Sequence, residues 1–306
     1  MDVFTCGPWC QGPSLLQALS LLDTAAFKSL PHNSADHIHV ICEALKLSFA
    51  DREHWYGDPR FVEVPLDRLL SPDYAAERRN LIRRERAFPG MPAPGGGETR
   101  SHTPSSGNPP IPRDTSYICV VDKTGNAFSA TPSDISSDTV VIPGTGLCPS
   151  SRGSQAWTTV GHPSCLAPGK RPRLTPNPAL AIRPGEWVLP FGTPGGDVQV
   201  QAMLQVFLNI VVFGMDPQLA VEVPRMATYS FPDSFEPHAY FPGRLNVESR
   251  IPTATGENLR ARGHDLAWWP DWTWRAGAVC AIQGDIKGGL LTGGADPRRP
   301  SYALGW

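Results

Sequence analysis

The stretch PPIPRDTSYICVVDKTGNAFSATPSD, residues 109–134, joins two kinds of sequence at one point. Its beginning is rich in proline, and an alternating, strand-like run starts directly after Asp114 and Thr115. The turn residues KTGN then separate ICVV from AFSA, a spacing typical of a β-hairpin. The sequence thus predicts that Thr115 lies where a movable Pro-rich segment meets an ordered hairpin.

Thr115 has two interpretations. It is an ordinary β-branched residue that opens a strand, or it is a residue uncovered by cleavage of the Asp114–Thr115 bond. After such a cut, Thr115 would carry both a hydroxyl nucleophile and a free α-amine. An α-amine has a pKa of about 8 and can act as a base near neutral pH, which is one known way to activate a threonine hydroxyl.

Composition indicates a globular chain and excludes several classes of partner. Of the 306 residues, 41% are hydrophobic and 18% are charged, and the net charge is -2. This balance gives no reason to expect nucleic acid or an anionic membrane as a partner. No targeting segment is visible and the longest apolar run, residues 202–214, is too short for a bilayer. As written, we expect a soluble, cytoplasmic protein.

The chain divides into three predicted parts. Residues 1–87 are mostly helical, with Ser34 as the N-cap of a long helix and a second, charged helix near residue 71 that we expect to be solvated. Residues 88–114 form a Pro/Gly/Ser-rich linker that is predicted to be flexible. Residues 115–306 contain three predicted hairpins and an apolar helix. Strand pairs with helices packed over them indicate an α+β fold.

A second motif is the turn Pro194-Gly195-Gly196-Asp197, which precedes the apolar helix. Two glycines let a ligand approach the backbone closely, and a helix start offers unpaired N–H groups. The motif is suited to an oxyanion hole, but it is also consistent with a plain strand-to-helix turn or a phosphate cradle. No Gly-Lys-Ser/Thr follows, so a P-loop is not indicated.

Several motifs together resemble the small subunit of the γ-glutamyltranspeptidase family, whose members are self-cleaving N-terminal-nucleophile hydrolases. Residues 34–65 are similar to the end of the family's large subunit. The motifs that carry the resemblance are DTSYICVVDKTGNAFSAT (114–131), GKRPRLTPNPAL (169–180), GTPGGDVQVQAMLQV (192–206) and GGADPRRPSYALGW (293–306). The resemblance implies a four-layer α/β/β/α sandwich, an amide as small-molecule substrate and no cofactor or metal.

The same resemblance implies roles for individual residues. Thr115 matches the nucleophile, Asp114 the residue left at the cut, and Ser133 a hydroxyl that supports the nucleophile. Gly195 and Gly196 match the oxyanion-hole pair. Two further matches, Thr175 and Gln155, fall on positions that hold the glutamyl group.

Three positions depart from the family pattern. Leu174 replaces one of two adjacent serines, Ile135 replaces an asparagine, and Gln155 stands where transpeptidases have an aspartate that grips the substrate's α-amino group. A neutral amide cannot give an ammonium group a charge-assisted bond. The departures favour an amidase or acylase branch of the family.

The chain has 114 residues before the predicted cut, whereas the family's large subunit has several hundred. We therefore expect exposed apolar surface, and either homo-oligomerisation or association that replaces the shortened part. The alternative function is a non-catalytic family member that acts only in binding or assembly.

Two further clusters suggest rival functions. His37, His39 and His54 could indicate a metallohydrolase, although residues two apart on a helix point to different sides. Cys6 and Cys10 lack the second pair that a structural zinc site needs. The run AWWPDWTW, residues 267–274, is consistent with an aromatic-ligand platform or with core packing.

Overall fold

The fold is known from a computed structural model, which describes residues 1–98, 100–109, 115–134 and 139–306. Its helices are α1 Gly12–Leu22, α2 Ala25–Lys28, α3 Ala35–Trp55, α4 Leu66–Leu69, α5 Pro72–Arg79, α6 Val198–Val211, α7 Pro217–Glu222 and α8 Thr253–Ala261. Its strands are β1 Asp2–Thr5, β2 Ile118–Val121, β3 Ala127–Ala130, β4 Ala179–Arg183, β5 Trp187–Gly192, β6 Met226–Thr228, β7 Arg244–Glu248, β8 Asp265–Trp269, β9 Cys280–Asp285 and β10 Leu291–Ala295. Two 3₁₀ turns, Ser151–Gln155 and Trp274–Ala276, complete the described elements.

The central sheet has five antiparallel strands in the order β1-β4-β5-β9-β10. All three hairpins that the sequence predicts are present: β2 with β3, β4 with β5, and β9 with β10. Side chains alternate along β5, as the pleat requires. Leu189 and Phe191 lie in the main hydrophobic core with residues of α1, α3 and α6, whereas Val188 faces the other way, near Val121 of β2.

The β2–β3 hairpin forms a second, two-stranded sheet that packs on the central one. The fit is close where Tyr117 lies against Gly192, because a Cβ at residue 192 would be 2.2 Å from the Tyr117 ring. The other face of the hairpin exposes Ile118, Val120 and Phe128. This is apolar surface of the kind that the sequence predicts, and the expected association remains a prediction.

Helix α3 begins as predicted. The Ser34 side chain accepts a hydrogen bond from the His37 N–H at 3.2 Å, and the helix ends at Trp55, just before Gly57. Its apolar residues Ile38, Ile41, Leu45 and Phe49 recur at helical spacing and are all buried. Many polar side chains of α3 are buried as well, and these connect the helix to the rest of the molecule.

The prediction that the second charged helix is solvated was wrong for part of its basic face. Helix α5 ends at Arg79, and Arg78 is buried. Arg78 donates to the Ala93 carbonyl at 2.8 Å, and Arg79 donates to the carbonyls of Ser20 and Leu21. These guanidinium groups satisfy main-chain acceptors that have no partner in their own helix or loop, a role that charge pattern alone does not reveal.

The two parts on either side of the predicted linker share one hydrophobic core, which includes Leu15 and Leu45 from the first and Leu189 and Leu204 from the second. The start of the linker lies on α3, where Gly95 N–H donates to Asp51 at 2.8 Å. The described chain therefore packs as one unit, and the boundaries at 88 and 115 remain predictions about the processed chain.

A third, smaller sheet follows the order β6-β7-β8 and joins the C-terminal segment through buried charges. Glu248, at the end of β7, pairs with Arg298 and accepts the main-chain N–H of Arg225 at 2.7 Å. Asp296 pairs with the same two arginines. All four side chains are buried. None of the described helices is both long and apolar enough to cross a bilayer.

This buried charge network gives a test of the fold. The change Glu248→Gln should lower the free energy of unfolding by about 3 kcal/mol, because it removes one of the two carboxylates that neutralise the buried Arg298 guanidinium. Urea unfolding measures the change. Asp23→Asn is the matched control: its ion pair with Lys28 is exposed, so a change within about 0.5 kcal/mol is expected. A loss at Glu248 no larger than the control would contradict this account.

Candidate active site

Thr115 and Ser133 meet at the open end of the β2–β3 hairpin. The Ser116 N–H donates to the Pro132 carbonyl at 3.0 Å, which extends the antiparallel pairing beyond the strands. As a result, Thr115 Oγ1 and Ser133 Oγ lie 2.7 Å apart. Thr115 is 9% exposed and thus sits at the boundary of the interior. Asp114, the predicted residue on the other side of the cut, lies outside the described residues, as does Ile135.

Arg152 also holds Ser133. Its Nε donates to the Ser133 carbonyl at 2.9 Å, and its Nη2 donates to Ser133 Oγ at 2.8 Å. The 3₁₀ turn that carries Arg152 is capped by the Ser150 side chain, whose hydroxyl donates to Asp134. The guanidinium is buried and lies 5.4 Å from the centre of the Phe235 ring.

Gln155 and Thr175 are in direct contact and are both buried. Gln155 Nε2 donates to Thr175 Oγ1 at 3.2 Å, while Gln155 Oε1 has no hydrogen-bond partner within the described chain. A buried carbonyl oxygen without a donor costs free energy. Gln155 therefore offers a neutral acceptor at the place where the resemblance implies an anionic one.

The glycine turn leaves its N–H groups open. Gly195 has φ +133° and Gly196 has φ +57°, conformations that an L side chain rarely adopts. Their carbonyls accept hydrogen bonds from the first N–H groups of α6, Val198 and Gln199. Over the part of the chain that the structure describes, neither glycine N–H donates to a protein acceptor. The turn thus presents two free main-chain donors, as an oxyanion hole requires.

Gln11 connects the glycine turn to the Gln155–Thr175 pair. Its Nε2 donates to the Thr175 carbonyl at 2.7 Å and to the Gly196 carbonyl at 2.9 Å. A continuous series of contacts therefore joins all the described residues that were predicted for the site. It runs through Thr115, Ser133, Arg152, the 3₁₀ turn, Gln155, Thr175, Gln11 and Gly196.

Asp197, the residue after the two glycines, anchors the same turn. Its carboxylate pairs with Arg52 of α3 and accepts two hydrogen bonds from Ser234, from the N–H at 2.6 Å and the hydroxyl at 2.7 Å. Arg52 also donates to Gln11 Oε1 at 3.1 Å and lies over the Phe49 and Phe231 rings.

A second carboxyl group lies close to Asp197. Burial, together with the nearby Asp197 carboxylate, raises the pKa of Asp233 to about 8.

The sequence did not identify Arg152, Gln11 or Arg52 as site residues. Gln11 and Arg52 lie more than 60 residues before Thr115, in a part of the chain where no motif marks them. Arg152 is in the same RGSQ segment as Gln155. This proximity to a predicted site residue was the one signal in the sequence that could have identified Arg152.

The histidines do not form the predicted alternative metal site. His37 packs beside Phe27 and Phe213, and burial lowers its pKa to about 3. His39 Nδ1 instead lies 2.9 Å from His264 Nε2, on another side of the helix. His54 contacts Trp55.

Glu43 is close enough to His39 and His264 for the three to share an ion. Lys46, however, pairs with Glu43 at 2.8 Å, and His39 Nε2 already bonds to the Arg83 carbonyl. A buried ammonium group beside these ligands disfavours a metal dication, so the cluster is explained as a hydrogen-bonded core.

The tryptophans of residues 267–274 do not share one surface. Trp269 is in the hydrophobic core and Trp268 packs on Gly256 of α8. Trp272 and Trp274 are partly exposed, and the guanidinium groups of Arg250 and Arg299 lie over their rings. The four tryptophans therefore fit a role in packing better than a shared platform for an aromatic ligand.

Similar proteins are known over the whole length of this chain. The family model described as gamma-glutamyltranspeptidase matches residues 1–306. The glutathione hydrolase-like YwrD proenzyme of Bacillus subtilis is 32% identical over 99% of this chain and 54% of its own length.

Two solved structures are similar over 99% of the chain. One is of LmbA2991HD, at 39% identity, TM-score 0.88 and 54% of that chain. The other is the cephalosporin acylase of Bacillus halodurans, at 29% identity, TM-score 0.76 and 51% of that chain. The chain spans about half the length of these relatives, and its fold is the α+β sandwich of N-terminal-nucleophile hydrolases. With a family model matched from its first residue to its last, this chain belongs to the γ-glutamyltranspeptidase family.

Proposed function

We propose that this protein is a self-cleaving amidohydrolase or acyltransferase in which Thr115 attacks the carbonyl of an amide substrate. The observation that carries the proposal is the 2.7 Å contact between Thr115 Oγ1 and Ser133 Oγ at the head of β2. A threonine there is held rigidly by the hairpin, and a second hydroxyl supports its reactive oxygen. The free main-chain N–H groups of Gly195 and Gly196 would donate hydrogen bonds to the oxyanion that forms during the attack.

Maturation would begin within the chain. Thr115 Oγ attacks the Asp114 carbonyl carbon, the Asp114–Thr115 C–N bond breaks, and the nitrogen takes up the hydroxyl proton. The resulting ester joins Asp114 to the Thr115 oxygen. Water hydrolyses this ester, which leaves a carboxylate on Asp114 and restores the Thr115 hydroxyl beside a new α-amine.

The same atoms then act on the substrate. Thr115 Oγ adds to the amide carbonyl while its proton passes to the α-amine, and the proton is next given to the departing amine. Water or an acceptor amine attacks the acyl-threonine ester and releases the acyl group. Each proton transfer involves the chain or water, so the scheme requires no cofactor.

The oxyanion formed in each addition would accept hydrogen bonds from Gly195 and Gly196. Removing one donor of an oxyanion hole typically costs about 3 to 4 kcal/mol of transition-state stabilisation. Here the donors belong to the main chain, and Gln11 and Asp197 fix the turn that presents them. Side-chain substitution at either glycine would strain the turn because both φ angles are positive.

We further propose that the acyl group of the substrate lacks an α-ammonium group. Gln155 is neutral and buried, Leu174 offers no hydroxyl, and Arg152, in the same 3₁₀ turn as Gln155, is a cation. An ammonium group would lose its hydration without gaining an anion. The name of the Bacillus halodurans relative, a cephalosporin acylase, is compatible with this substrate class.

The first test is self-cleavage. Sharing the 33.2 kDa mass between 114 and 192 residues gives expected fragments of about 12 and about 21 kDa on a denaturing gel. Thr115→Ala should leave one uncut band, and Thr115→Ser should still be cut because the hydroxyl remains. Thr131→Ala, a neighbouring threonine outside the contact with Ser133, is the control and should be cut normally. A folded wild-type chain that stays whole would favour the non-catalytic alternative.

The second test addresses the acyl group. Glutaryl p-nitroanilide and γ-glutamyl p-nitroanilide differ in the α-amino group, and release of p-nitroaniline reports hydrolysis of both. We expect the wild-type protein to prefer the glutaryl compound in kcat/KM. Gln155→Asp should shift the ratio toward the γ-glutamyl compound by about 10- to 100-fold, the value of one charge-assisted hydrogen bond. Gln155→Asn is the neutral control, and an equal shift there would contradict the role of charge.

A further inference from the structure

We propose that Arg152 is a positioning residue that sets the direction of the hydrogen bond between Ser133 and Thr115. The inference rests on the proposed function of Thr115 and adds to it a residue that orients the reacting oxygen. Arg152 acts through Ser133, whose main-chain carbonyl and hydroxyl it holds at 2.9 and 2.8 Å.

The argument begins with the hydrogen-bonding capacity of the two groups. A guanidinium group can only donate, whereas a serine hydroxyl has one donor and two acceptor positions. Ser133 Oγ therefore accepts from Arg152 Nη2. An oxygen that accepts from a cation becomes a stronger donor itself, because hydrogen bonds in series polarise one another. This favours Ser133 as donor and Thr115 Oγ1 as acceptor in their 2.7 Å contact.

This direction has a chemical consequence. When Thr115 Oγ1 accepts from Ser133, its own proton points away from Ser133 and is available to the base. The same Ser133 donor also stabilises negative charge as it develops on the attacking oxygen. With the opposite direction, the Thr115 proton would be held by Ser133 and would have to be released before attack.

The surroundings of Arg152 keep it in place. Its two bonds to one residue fix the Ser133 rotamer, which a lysine with a single point charge cannot reproduce. The Phe235 ring lies under the guanidinium, and the Glu236 N–H donates to the Ser154 carbonyl at 2.8 Å. The loop after Ser234, which Asp197 anchors, thus supports the turn that carries Arg152.

The test compares Arg152→Met, Arg152→Lys and Ser133→Ala with the wild-type chain. Self-cleavage is followed on denaturing gels, and p-nitroanilide hydrolysis is measured per cleaved chain. We expect Arg152→Met to lower both the cleavage rate and kcat by about 10- to 100-fold, with KM changed less than kcat. Arg152→Lys should recover part of the loss. Arg183→Met, which removes a guanidinium stacked on Trp187 away from the site, should leave both rates unchanged.

A double variant, Ser133→Ala with Arg152→Met, distinguishes positioning from general stability. If Arg152 acts through Ser133, the double variant should be about as slow as the slower single variant. Rate losses that multiply would overturn the proposal, as would wild-type rates in Arg152→Met. If Arg152→Met does not fold, as judged by circular dichroism, Arg152→Lys takes its place in the same cycle. If the folded wild-type chain and Thr115→Ala both stay uncut, the proposed function fails, and the role of Arg152 fails with it.

Discussion

The buried ion pair between Arg52 and Asp197 is the interaction on which the candidate site depends. Asp197 is the residue directly after the two glycines, and Arg52 belongs to the long helix near the start of the chain. The pair is also hydrogen-bonded to Gln11 and Ser234. The geometry of this buried, hydrogen-bonded ion pair therefore holds these four segments in fixed relation.

This arrangement explains why the helical part and the sheet part share one core. The glycine turn needs unsatisfied N–H groups and positive φ angles, both of which cost free energy. Gln11 and Arg52 offset that cost by binding the turn's carbonyl and its flanking carboxylate. The residues before the predicted cleavage site thus support the segment in which the proposed chemistry would take place.

Much of the fold could be predicted because its signals are local. Ser34 caps its helix and the KTGN turn closes its hairpin because such preferences depend on neighbouring residues. The prediction that the helix carrying Arg78 is solvated was wrong for Arg78 because it also rested on a local signal. Its charge indicated solvent, but the carbonyl that it binds belongs to Ala93, in a segment that composition marked as a linker.

The sequence by itself determined the hairpin that presents Thr115, the glycine turn before α6 and the resemblance that relates them. Only the tertiary structure decided that Arg152 holds Ser133 and that Gln11 links Thr175 to Gly196. Main-chain preferences act over a few residues and leave periodic patterns. A hydrogen bond from a side chain to a main-chain carbonyl 185 positions away leaves none, because it forms only after the core has brought the two segments together.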